Sequence, residues 1–206
     1  MKTIYLIRHS APFVNYNDYD YTNVPFSEYS RNMILSVKGE EKARALCDIE
    51  DLKNIDEIYS SNSARAIGTA KYIAEMNGLG INIDNRINER EFGITYVSEL
   101  PENFNIKQFE DENYKLENGE SLKEVRTRFC EFLDEILENS SNKIVLSIHG
   151  ILLMAYLSMI CEVKFNGEEF TVKFKDKIVM SGLMKNPDVY KITFEGNEVI
   201  DVLNIN

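Results

Sequence analysis

A chain of 206 residues is long enough to bury one well-packed α/β core and too short to need two. Its 34 acidic side chains against 23 basic ones leave a formal charge of -11, which argues against a general binder of nucleic-acid backbones, a task that needs a basic face. Cys47, Cys130 and Cys161 are odd in number and widely spaced, with no paired spacing for zinc or a redox dithiol, and predict reduced thiols in a cytoplasmic protein.

The first element is a buried strand, Thr3 to Ile7, which stops abruptly at Arg8 and His9. Its apolar part is shorter than the core of a signal peptide, and the longest apolar run, from Ile151 to Cys161, is about half a membrane span, so no membrane partner is expected. The acidic, aromatic stretch after it has no period and marks a surface excursion over residues 16–34, a candidate lid or substrate loop. A helix from about Gly39 sets Ala43, Leu46 and Cys47 on one face. Glu57 to Tyr59 reads as a short buried strand, followed from about Ser63 by a helix with Ala66, Ala70, Ile73 and Ala74 inward, which Gly78 is placed to end.

Ile81 to Ile83 reads as a further buried strand, and residues 94–118, polar and interrupted by Pro101, form the second excursion. Ser121 and Glu124 have the spacing of a capping box, and Leu122, Val125, Phe129, Phe132, Leu133 and Ile136 line one face of the helix they start. Lys143 to Ile148 is a strand and Gly150 to Cys161 a helix. Val163 to Val179 fits no period, and the tail from Val189 alternates around Gly196 and Asn197 as a hairpin at the sheet edge. Together these predict a single α/β domain over 1–206: a three-layer sandwich with a mostly parallel central sheet flanked by helices and a C-terminal edge hairpin.

The two histidines of the chain occupy equivalent places. His9 follows TIYLIR and His149 follows KIVLSI, so if both strands are parallel members of one sheet, both imidazoles emerge at its carboxyl edge, where open α/β sheets bind ligands. Without a carboxylate cluster or cysteine pair they make a poor metal set. Arg65, in the first turn of the helix after YSSNS, can aim a guanidinium at an anion beside the positive helix end, although an arginine at a helix start is also commonly just solvated. In INEREFG, Glu89 and Glu91 bracket Arg90, and the pattern alone favours neither carboxylate.

Taken in order, these stretches resemble the histidine phosphatase superfamily, in its phosphoglycerate-mutase-like branch. LIRHS is similar to the family's Arg-His-Gly signature with Ser10 in the Gly place, Asn15 matches a following Asn, and LSVKGEEKA resembles its Leu-Thr-x-x-Gly segment. YSSNSARAIGTA matches Ser-Ser-x-x-x-Arg-Ala-x-x-Thr-Ala, INEREFG resembles Leu-x-Glu-x-x-Phe-Gly, NGES precedes the long helix, and SIHG carries the second histidine.

The resemblance implies a phosphatase that needs no metal or other cofactor and acts on a small phosphorylated substrate. His9 would take the phosphoryl group, Arg8 and Arg65 would clamp its oxygens, His149 would complete the pocket, and Glu89 rather than Glu91 would donate the proton. Asn15 and the backbone N–H of Gly150 would be further phosphate contacts. Ala11 and Pro12 stand where Glu-Thr often follows the signature, which favours hydrolysis over phosphoryl transfer. A cofactor-dependent phosphoglycerate mutase is the alternative enzyme, and a non-catalytic phosphate-binding module the alternative of another kind. The sequence leaves the oligomeric state open, and Arg90 is expected either to reach a second anion or to point to water.

Overall fold

The computed structural model describes residues 1–14 and 25–206. Its regular elements in chain order are β1 (Lys2–Arg8), α1 (Phe26–Asn32), α2 (Val37–Ala45), β2 (Glu57–Ser60), α3 (Ala64–Asn77), β3 (Asn82–Ile83), α4 (Phe104–Glu110), α5 (Leu122–Glu138), β4 (Lys143–Ile148), α6 (Gly150–Ile160), β5 (Glu162–Phe165), β6 (Phe170–Phe174), β7 (Lys177–Gly182), β8 (Asp188–Glu195) and β9 (Glu198–Asn204).

Six of the strands form the central sheet in the order β3-β2-β4-β1-β8-β9, parallel from β3 to β1 and antiparallel from β1 to β9. Alternation of side chains across the pleat divides the core into two layers. Ile4, Leu6, Ile144, Leu146 and Ile148 pack with α5 and α6, while Tyr5, Ile7 and Val145 pack with Ala70, Ile73 and Ala74 of α3. This is the expected mostly parallel α/β sandwich, and the β8–β9 hairpin closes its edge around Gly196, whose φ of 59° suits glycine.

The long helix begins with the predicted capping box, Ser121 Oγ accepting from Glu124 N and the Glu124 carboxylate accepting from Ser121 N, and it buries the six predicted side chains. Gly78 ends α3 with φ 65°. Two expectations are corrected and one unplaced stretch is resolved. The Ile81–Ile83 strand is not buried: β3 is a two-residue edge strand paired only with β2, and Ile83 is 49% exposed. The helix expected from about Gly39 is α2 and starts at Val37, because Ser36 Oγ accepts from Gly39 N as its cap, and it ends before Cys47, which sits half-buried in a 3-10 turn. The unassigned stretch after α6 is a second sheet, β5-β6-β7, whose short strands pair in antiparallel fashion with a register shift at Val172/Lys173 that breaks the alternation.

Of the first excursion, residues 15–24 lie outside the described residues, and the remainder folds as α1. The second carries α4, whose Phe104 and Gln108 are buried. Among the described residues no helix is long and apolar enough to cross a membrane.

Candidate active site

β1 and β4 are parallel neighbours with Arg8 opposite Ile148, so the residues that follow each strand meet at the sheet's carboxyl edge. The His9 and His149 ring centroids lie 5.2 Å apart, tilted by 60°. His9 N extends the ladder by donating to Ile148 O at 2.9 Å, and the His9 ring donates from Nδ1 to Ser10 O at 2.8 Å. A neutral imidazole with its proton on Nδ1 carries its lone pair on Nε2. Burial, opposed only by the Ser10 contact and reinforced by the charges of Arg65 and Arg8, pushes the His9 pKa down to about 3.

His149 is fully buried where β4 turns into α6. Arg65 Nη2 donates to its Nδ1 at 3.0 Å, and because a guanidinium can only donate, the proton of this ring sits on Nε2, which donates to Ser61 Oγ at 2.7 Å. Burial first, then the Arg65 and neighbouring charges, holds its pKa well below the ordinary value. Arg65 is itself 5% exposed, with Nη1 donating to Ser30 O and Nη2 reaching Ser30 Oγ at 3.3 Å. Thus α1 lies directly over this guanidinium.

Arg8 ends β1 and is held from the far side of the chain, Nη1 donating to Met184 O at 2.9 Å and to Lys185 O at 3.0 Å. Its Nε is buried and has no hydrogen-bond partner among the described residues. A Cβ at Gly150 would stand 3.2 Å from that nitrogen and 3.2 Å from Met184 Cε, so glycine here gives Arg8 room across the start of α6. Opposite Arg8 in the β1–β8 ladder is Asp188, a buried carboxylate that accepts from Asn204 Nδ2 at 2.7 Å and Tyr190 OH at 3.2 Å. Burial lowers the pKa of both arginines, and the charge of Glu89 opposes that effect in each.

Glu89 reaches the same helix end as His149. Its Oε1 accepts from Arg90 N at 3.0 Å and Leu152 N at 3.1 Å, and its Oε2 from Ile151 N at 3.2 Å, which uses two otherwise orphaned N–H groups of the first turn of α6. Glu91 is exposed, with its N–H on Glu120 Oε2. The structure therefore brings Arg8, His9, Arg65, Glu89, His149 and Gly150 to one edge, whereas Asn15 lies outside the described residues. Arg90 takes neither expected course. It is 2% exposed and donates to Gln108 Oε1, to Glu120 O at 2.5 Å and to Tyr114 O at 2.9 Å, fastening the second excursion to the sheet.

Ser10 also has a definite place. Its N–H donates to Thr69 Oγ1 and its hydroxyl to Gly39 O, each at 2.8 Å. Gly39 in turn approaches Ala11 so closely that a Cβ there would run into the Ala11 carbonyl, which docks the start of α2 against the signature loop. Sequence reasoning gave no role to Ser30, Ser61, Asn186 or Asp188; Ser61 falls in the matched Ser-Ser segment, whereas the other three carry no local signal and acquire their partners through tertiary contact.

Beside this cluster, between α1 and the turn before Phe92, lies a cavity of about 350 Å³ lined among others by Phe26, Ser30, Asn62, Ser63, Asn88 and Glu89. Among the described residues no three His, Cys, Asp or Glu side chains gather as a metal ligand set.

The profile of the histidine phosphatase superfamily, branch 1, matches residues 4–173. The chain belongs to that superfamily, as the resemblance of its motifs implied. It is similar to Phosphoserine phosphatase 1 of Hydrogenobacter thermophilus, with 31% identity over 121 residues covering 55% of this chain and 57% of that protein, so the match spans little more than half of the relative. Among solved structures it resembles the mycobacterial glucosyl-3-phosphoglycerate phosphatase in complex with inorganic phosphate, with a TM-score of 0.71 at 18% identity over 100% of this chain and 96% of that one. The same enzyme with VO3 gives 0.69 at 18% identity, covering 99% and 97%.

Proposed function

We propose that the chain hydrolyses a small phosphomonoester through a phosphohistidine on His9, with no metal in the reaction. The observation that carries this reading is the Nδ1–H to Ser10 O bond of His9, which leaves a neutral Nε2 lone pair beside two guanidiniums.

Phosphate monoesters resist nucleophiles because their oxygens are anionic, so neutralisation and alignment are the main demands on the protein. Arg8 and Arg65 are always charged and suit phosphate oxygens with planar forks. His9 Nε2 forms a bond to phosphorus as the ester P–O bond breaks, and the departing alkoxide takes a proton from Glu89. The Glu89 carboxylate then accepts a proton from water as that water attacks phosphorus, the P–N bond breaks, and inorganic phosphate leaves. Glu89 lines the cavity beside the cluster, which supports the alcohol part of the ester lying there. At about 350 Å³ the cavity is at the lower end of the range for ligand pockets, in keeping with a metabolite. The phosphoserine and glucosyl-3-phosphoglycerate phosphatases named above support the same size class without fixing the alcohol.

The deciding experiment measures release of p-nitrophenol from its phosphate with and without a chelator, and with and without added bisphosphoglycerate. Chelator-resistant turnover indifferent to bisphosphoglycerate is expected. Loss of turnover on chelation overturns the metal-free reading, dependence on bisphosphoglycerate favours the mutase, and no turnover of any phosphoester favours a binding module.

A further inference from the structure

We infer that Asn186 is a positioning residue for His9, acting through the peptide that joins His9 to Ser10; this rests on His9 being the nucleophile. That peptide is gripped at both ends. Asn186 Nδ2 donates to His9 O at 2.8 Å, and Ser10 N donates to Thr69 Oγ1 at 2.8 Å. The next carbonyl along, Ser10 O, is the acceptor of His9 Nδ1–H. The plane of the gripped peptide therefore sets where Ser10 O stands relative to the ring, and so which ring nitrogen holds the proton.

Both grips are themselves anchored. Thr69 Oγ1 donates to Arg65 O at 2.8 Å, one turn back on α3. Asn186 belongs to the segment between β7 and β8 whose neighbouring carbonyls, Met184 O and Lys185 O, receive Arg8, and its own carbonyl accepts from Lys42 Nζ at 3.1 Å. One short segment thus holds the signature arginine by its guanidinium and the signature histidine by its backbone.

The same bond serves both stages of the reaction. In the free enzyme it keeps Nε2 unprotonated for attack; in the phosphoenzyme, where Nε2 carries phosphorus and the ring is cationic, it stabilises the proton on Nδ1. Losing the Asn186 donor lets the His9 carbonyl turn and weakens the Ser10 acceptor, so the ring spends part of its time protonated on Nε2, where it cannot attack.

The test compares Asn186→Ala with the isosteric Asn186→Asp, which replaces the donor by a repelling carboxylate. The expected result is a fall in kcat of about tenfold or more with KM changed less than about twofold, since a positional bond is lost and no substrate contact. Because the chain has only two histidines, ¹⁵N spectra of the imidazoles read the tautomers directly. His9 should be protonated on Nδ1 in the wild type and shift toward Nε2–H in both variants. If either variant does not fold, Thr69→Val loosens the other end of the same peptide and should give the same shift. Unchanged kcat with the Nδ1–H tautomer retained in a folded variant overturns the inference. A fully active His9→Ala enzyme instead overturns the reading on which it rests.

Discussion

Arg65 and Ser30 are bound to each other twice: the serine carbonyl accepts from Nη1 and its hydroxyl lies 3.3 Å from Nη2. The fork assigned to phosphate oxygens is thus engaged by the protein's own Ser30, through carbonyl and hydroxyl, and by His149. A bound phosphate or vanadate that engages Arg65 must release Ser30 and so loosen one hold on α1, which is also tied by Phe26 N on Thr95 O and by the Phe26 ring against Phe92. Amide hydrogen exchange over residues 26–32 is expected to rise with saturating vanadate. Greater protection there would show that the helix closes over the ligand.

His9→Ala should lower turnover by at least a thousandfold and abolish acid-quenched phosphoenzyme. Glu89→Gln should cost about 10²–10⁴-fold in kcat on alkyl phosphates, the usual contribution of a general acid, and far less in phosphoenzyme formation from p-nitrophenyl phosphate, whose leaving group needs no proton. Equal losses on both esters would remove Glu89 from the proton-donor role.

The burial of His9 has a consequence for pH. Its folded pKa of about 3 lies below the ordinary 6.5, so between these values the unfolded chain binds more protons and stability falls as pH falls. From pH 7.5 to 5.0 this group alone removes about 2 kcal/mol. His149 acts in the same direction. Denaturant unfolding at the two pH values should show wild type losing about 2 kcal/mol more than His9→Gln. The His9 ring signals should not titrate between pH 8 and 4.5, and any acid limb of kcat/KM in that range must belong to another group.

Much of this site was legible because it is local. The matched endings of TIYLIR and KIVLSI predicted two imidazoles at one sheet edge, and β1 and β4 proved to be direct parallel neighbours. The place of Arg65 after a strand left it open between an anion contact and a solvated side chain, and only the resemblance of YSSNSARAIGTA favoured the first, while the capping box at Ser121 was readable from four residues of sequence. The failures have a common physical cause. Arg90, flanked by two glutamates, reads in sequence as reaching a second anion or pointing to water, and only the fold brings Gln108, Tyr114 and Glu120 around it. Asn186 and Ser30 are likewise ordinary polar residues until distant strands and helices give them partners. The β5–β7 sheet escaped because short strands with a register shift leave no clean period.

Arg90→Met tests the anchoring role. Keeping the volume while leaving the Gln108, Tyr114 and Glu120 acceptors unpaired should cost about 3 kcal/mol and open residues 94–118 to proteolysis. A thermal melt and a timed digest check this, and an unchanged digest would return Arg90 to a minor part.

The reach of the contacts behind Arg8 and His9 bears on how the molecule is made. Met184 O is 176 residues from Arg8, and Asn186 is 177 from His9. The signature strand is synthesised long before the segment that steadies it, and loops of that size close late and slowly. A partly folded chain that has assembled β1 to β4 but not docked β8 would have most of its central sheet, yet would lack the Asn186 hold on the His9 carbonyl and the Met184 and Lys185 acceptors of Arg8. On the proposed reading, the hold on Arg8 and His9 is completed only by this distant segment, so a lesion there is expected to weaken the site while leaving the sheet beneath intact.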